Sequence, residues 1–132
     1  MDNLRRTLFE ELGKLFYAIA KSQGVNLMGL GSLKMLLHRD WLRRKEQVNL
    51  DVLSEETHRI MYSMDTQAGG EGATAEEAFE GFEAFYKQHP DVFDDSLRAL
   101  LVSTGRDIVN YFPGSSGNQN NQLIKLESLL RN

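Results

Sequence analysis

No cysteine occurs in this chain, so disulfide staples and thiolate-held zinc are both excluded. Only two prolines are present, Pro90 and Pro113, and the long stretches between breaks are free to be helical. No apolar run comes near the roughly 20 residues that span a bilayer. The opening segment MDNLRRTLFEELGKLF has acids inside its apolar pattern, unlike a signal peptide. No membrane association is expected from these features, and the lack of cysteine fits a cytoplasmic location. Sustained period-two alternation of β-branched residues is missing too, which argues against a sheet. Basic residues form one cluster, Arg39, Arg43, Arg44 and Lys45, broken by Asp40 and followed by Glu46. A solvated helix end explains it. Nucleic-acid binding needs a broader basic footprint and is not expected.

What the chain does contain is apolar residues at helical spacing. They make up 41% of the 132 residues, enough for one domain with its own core. The formal net charge is -4, with the excess of acids lying beyond Thr66. Leu4, Leu8, Leu12, Leu15, Phe16 and Ile19 mark one face of a first helix, with Asn3 as a candidate cap and an end near Lys21 to Gly24. From Ser32 a second helix carries Leu33, Leu36, Leu37 and Trp41. A third starts between Asp51 and Ser54, with Ser54 as candidate N-cap, and uses Leu53, Ile60, Met61 and Met64. Thr74 followed by Glu77 forms a capping box for a fourth helix with the stripe Ala75, Ala78, Phe79, Phe82, Phe85 and Tyr86. Pro90 ends it or introduces the next segment. A fifth helix is expected from about Asp94 to Phe112. After a polar hinge at 114–121, a sixth uses Leu123, Leu126, Leu129 and Leu130. The expected fold class is all-α, one helical domain over 1–132.

Between the third and fourth helices lies the most informative segment, MYSMDTQAGGEGATAEEAFEGFEAFY. A calcium loop gathers oxygen ligands from alternate early positions, turns at a glycine and closes with a bidentate glutamate at position twelve. With Asp65 first, Gln67 falls third, Gly69 fifth, Gly70 sixth and Glu76 twelfth; a loop one residue longer closes at Glu77. Asp65, Glu71, Glu76 and Glu77 are the candidate carboxylates. Gln67 offers an amide oxygen and Gly69 its backbone carbonyl. The middle of the loop is poor in ligands, and fold alone explains the glycine and the capping box.

This segment resembles the EF-hand superfamily, and LGKLFYAIAKSQGVNLMGLGSLKMLL resembles it more distantly. The resemblance implies two helix-loop-helix units paired over residues 8–88, with a C-terminal helical extension at 94–132. It also implies that Asp65 matches the first calcium ligand, Gly70 the turn glycine, Glu77 or Glu76 the closing glutamate, and Ala73 the small apolar position joining paired loops. The first unit departs further: Ala20-Lys21-Ser22-Gln23-Gly24 keeps a glycine turn without a carboxylate, and Lys21 opposes a cation. That turn is also similar to the AxxDG-type turn of tellurite-resistance TerB-like helical proteins, with Gln23 standing where the acid is.

No enzymatic pattern accompanies the scaffold. His38, His58 and His89 are scattered and form no His-Glu-x-x-His, and GGEG lacks the lysine and Ser/Thr of a phosphate loop. No catalytic residue and no cofactor are assigned. The expected function is a noncatalytic protein-interaction or regulatory module with little or no calcium dependence. The alternative is a calcium-responsive sensor or buffer using the Asp65–Glu77 loop. Partners would be another protein or a second copy of the chain, docking on an apolar helical surface.

Overall fold

The structure, a computed structural model, describes residues 2–24, 29–44, 50–69, 72–112 and 120–131. Among the described residues six α-helices follow one another: α1 Asp2–Ser22, α2 Leu30–Arg44, α3 Leu50–Ala68, α4 Ala75–Gln88, α5 Asp95–Tyr111 and α6 Asn121–Arg131. A single 3-10 turn, Pro90–Val92, joins α4 to α5. The described residues form no strand. The chain is all-α, as its hydrophobic periodicity predicts.

The apolar stripe of α1 makes it the axis of the bundle. Leu12, Leu15, Phe16 and Ile19 have no exposed surface. The helix packs most broadly on α3 and α4 and also touches α5 and α6, while α2 lies on α3 and α5. Close approach at these crossings depends on glycine. A Cβ at Gly13 would stand 2.5 Å from Ser63 Cβ and 2.6 Å from the Ile60 carbonyl oxygen, so only glycine lets α3 settle there. Ser63 Oγ uses the contact to donate to the Glu10 carbonyl. At the other end of α1, Gly24 ends the helix with φ +83°, a left-handed conformation that glycine adopts without Cβ strain.

The stripe of α4 is buried as predicted, with Phe82 fully inside. Burial of a side chain of this size contributes about 1.5–3 kcal/mol. Phe93, just after the 3-10 turn, closes the aromatic cluster. Its ring meets Phe82 edge-on at 5.8 Å and lies 5.0 Å from Tyr86. Asp94 caps α5, its carboxylate accepting from the Leu97 N–H at 2.8 Å.

The C-terminal helix docks within the same chain. Leu123, Leu126 and Leu130 are buried, Leu129 packs partly against the core, and Ile124 faces out. Two amides fix its start. Gln23 Nε2 donates to the carbonyls of Phe112 at 2.6 Å and Val109 at 3.3 Å, satisfying the open end of α5. Asn120 Oδ1 accepts from the N–H groups of Gln122 and Leu123, capping α6.

Several boundaries differ from the sequence reading. Asn3 lies inside α1 rather than before it, and α3 starts at Leu50, ahead of Ser54. Asn120, read as part of the polar hinge, is buried and serves as the cap of α6. Most consequentially, α3 continues through Ala68, so Asp65 and Gln67 occupy its last turn instead of opening a loop. The physical reason is that the apolar spacing does not stop at Met64: Ala68 also packs on the core. Gly70, Glu71, the hinge residues 114–119 and the side chains of Trp41 and Ser54 lie outside the described residues.

Candidate functional site

The α3–α4 connection is built from short backbone bonds. Gly69 N–H reaches the Thr66 carbonyl, Gly72 N–H reaches Gly69, and Ala73 N–H returns to Gln67 at 2.8 Å. Gly72 has φ +79°, and its turn lies under α1, with a Cβ there 3.4 Å from the Tyr17 hydroxyl. That hydroxyl donates to the Ala73 carbonyl at 2.7 Å and latches the connection onto α1. Burial pushes the Tyr17 phenol above its ordinary pKa.

Two of the proposed calcium ligands, Asp65 and Glu77, already have partners for their side chains. Asp65 holds Lys34 of α2, with Nζ to oxygen distances of 2.8 and 2.9 Å. Glu77 completes the capping box: its carboxylate accepts from Thr74 N–H at 2.9 Å, while its own N–H donates to Thr74 Oγ1 at 3.0 Å. The backbone bond from Thr74, then the side-chain bond, hold the Glu77 carboxyl below its ordinary pKa. Glu76 is exposed and accepts weakly from Gln122 Nε2 of α6 at 3.4 Å. The Gln67 backbone carbonyl accepts from Ala73 N–H, which leaves its side-chain oxygen out of that bond, and the Gly69 carbonyl, just past α3, accepts from Gly72 N–H. Glu71 lies outside the described residues. Among those described, no three His, Cys, Asp or Glu side chains are grouped so as to hold a metal ion.

A different place has the shape of a binding site. Arg6, Glu10 and Lys14 recur every four residues on α1, and His58, Arg59, Tyr62 and Thr66 face them from α3. Between them runs an open groove of about 740 Å³, with buried Ser63 of the Gly13 crossing among its lining residues. Tyr62 is 74% exposed, although it is a large amphipathic side chain. Lys14 keeps its ammonium 3.0 Å from Glu11. The groove therefore combines an aromatic wall with three cations and one acid.

Sequence reasoning did not single out this groove. Its only local signal is the four-residue recurrence of Arg6, Glu10 and Lys14, which alone reads as an ordinary solvated face. Of the histidines, His58 lines the groove, while His89 packs its ring 5.0 Å from Phe85. The side chain of His38 lies outside the described residues. No described helix is long and apolar enough to cross a membrane.

Comparison of the chain with protein-family models, with curated proteins and with solved structures gives no match.

Proposed function

We propose that this protein is a noncatalytic interaction or regulatory module with little or no calcium dependence. Exposed Tyr62 on the wall of the α1/α3 groove is the observation that carries the proposal. Tyrosine is enriched at interface centres because it brings large contact area with few rotors and a polar tip. The close α1/α3 crossing at Gly13 and Ser63 lies beneath it.

The scaffold we propose is EF-hand-like, with α1–α2 and α3–α4 as two helix-loop-helix units sharing one core. The packing of α1 on α3 and α4, and of α2 on α3, supports that arrangement. Calcium independence is supported by what the end carboxylates do. Asp65 is paired with Lys34, and Glu77 caps its own helix. A cation would have to displace both.

Photo-crosslinking tests the interaction role. A photoreactive residue at position 62, in cells that make the protein, is expected to yield discrete protein adducts that persist under calcium chelation. The same residue at exposed position 80 of α4 should yield none of them. An absence of adducts from position 62 would overturn the proposal, and adducts that vanish on chelation would replace it with the calcium-responsive reading.

A further inference from the structure

We infer that the trough between α1, α4 and α5 is a helix-binding site, and that α6 is a replaceable occupant that yields to a leucine-spaced helix of a partner protein. The trough is separate from the Tyr62 groove, so each reading can fail without the other. The first support is how α6 is seated. Leu123, Leu126 and Leu130 enter the trough, and Gly105 makes room for them. A Cβ at Gly105 would stand 2.9 Å from Leu123 Cδ1 and 3.2 Å from Ile19 Cδ1. An apolar trough of this kind receives one face of an amphipathic helix. Its rim adds charge complementarity. Arg106 of α5 holds Glu127 at 2.6 Å on one side, and on the other the Phe79 ring of α4 lies 5.9 Å from the Lys125 ammonium. At the head of the trough, Gln23 Oε1 and the Ile19 carbonyl accept from Asn120. An entering helix therefore needs an amide at its cap, with leucines, a base and an acid at the spacings of Leu123, Leu126, Leu130, Lys125 and Glu127.

Three features make α6 replaceable. It has 11 residues, below the length at which a helix is stable alone, so its order depends on docking. It also fits imperfectly. Gln122 is 1% exposed, yet its Oε1 has no hydrogen-bond partner among the described residues, and its Nε2 reaches Glu76 only at 3.4 Å. A buried acceptor left unmet weakens docking, and an apolar residue at the same place would not. A foreign helix with methionine there gives up only the long bond. Finally, the connection to α5 is long for its task. The Gln23 side chain bonds both the Phe112 carbonyl at 2.6 Å and Asn120 at 2.9 Å, so the two ends of the connection lie side by side. The residues between them, 113–119, could span roughly 25 Å. Chain connectivity therefore does not hold α6 in its seat. The same proximity makes its return intramolecular, which favours its own seat over that of a second copy.

Fluorescence anisotropy of a labelled synthetic peptide, residues 119–132, tests this on the full chain. The decisive pair is a charge reversal at an exposed position. In Arg106→Glu the resident Glu127 is repelled, while a peptide carrying Glu127→Arg is matched. That peptide is expected to bind the Arg106→Glu chain at least fivefold tighter than the parent chain, and less so as salt rises. The unmodified peptide should show no such preference. Adding Gln122→Met to either peptide should tighten it, and Leu123→Asp with Leu126→Asp should abolish binding. Melting curves of the Arg106→Glu chain verify that its fold is kept. Failure of the matched peptide to bind that chain, or binding that survives the two aspartates, would overturn the inference. So would a Gln122→Met peptide that binds more weakly than its parent. Micromolar dimers of the parent chain that the peptide dissolves would overturn it in favour of a second copy. None of these results bears on crosslinking from position 62.

Discussion

Gln23 and Asn120 are hydrogen-bonded to each other, Asn120 Nδ2 donating to Gln23 Oε1 at 2.9 Å across 97 residues of sequence. Asn120 Nδ2 also donates to the Ile19 carbonyl at 3.0 Å. The pair joins the end of α1, the end of α5 and the start of α6. An aspartate or glutamate at position 23 could accept from Asn120 but, ionised, could not donate to the carbonyls of Val109 and Phe112. The amide, which donates and accepts at once, is therefore suited to this place.

Replacing Asn120 with Ala removes the cap of α6 and strands the Gln23 oxygen in the interior. A loss of about 2–3 kcal/mol is expected from the cap and the unsatisfied partner together. Urea denaturation measures it. The double variant Gln23→Ala, Asn120→Ala should cost less than the sum of the singles, since both belong to one network.

Gly13→Ala is expected to destabilise despite the better helix propensity of alanine. The gain from propensity is about 1 kcal/mol. The added Cβ would stand 2.5 Å from Ser63 Cβ, and forcing helices apart costs about 1–3 kcal/mol. The second effect wins because the obstructing atoms are a Cβ and a backbone carbonyl, neither of which can swing away. A lower melting temperature, with a loosened α1/α3 contact seen by hydrogen exchange, is the expected result.

The Thr74 and Glu77 pair makes a pH-dependent contribution. The folded pKa of Glu77 is lowered, so its contribution is present above the unfolded value and is lost as pH falls through the folded one. Carboxyl NMR titration should find Glu77 below the usual glutamate range. In Thr74→Ala the value should return toward that range, and the helix should lose about 1 kcal/mol of capping at neutral pH.

Calorimetric titration of calcium into chelator-treated protein is expected to show no submicromolar binding. Such binding, abolished by Asp65→Asn or Glu77→Gln, would mean that the cation had broken both the Lys34 pair and the capping box.

Leu126→Ala should cost about 2–5 kcal/mol, because the side chain is fully buried and its site is framed by rigid helices. Deleting Gln122 to Asn132 uncovers apolar surface on α1, α4 and α5, and should raise the fluorescence of a hydrophobic dye at temperatures where the parent gives none. Rapid hydrogen exchange throughout residues 123–130 of the intact chain would contradict the docked α6.

Local signals made much of the architecture readable. The α4 stripe and its capping box lie within a few residues of one another, so spacing alone exposes Phe82 and Glu77. The end of α3 was harder. Asp65 and the glycines after it mimic the opening of a calcium loop, while the helix is carried on to Ala68 by core contact, which no loop pattern registers. Phe93 was hidden because a lone aromatic after Pro90 has no periodic partner. The Gln23–Asn120 pair and the groove were invisible for a deeper reason: each is assembled from residues far apart in sequence. Arg6 and Tyr62 acquire meaning only when Gly13 lets two helices touch.

The axial place of α1 has a consequence for synthesis. A ribosome releases this helix before any of the helices it packs against, and its partners extend to α6. Leu12, Leu15, Phe16 and Ile19 must then wait in a nascent chain with their apolar face uncovered, a condition that invites chaperone capture or premature self-association. The face of α1 is covered chiefly when α3 and α4 emerge, and its burial is completed only when α5 and α6 follow.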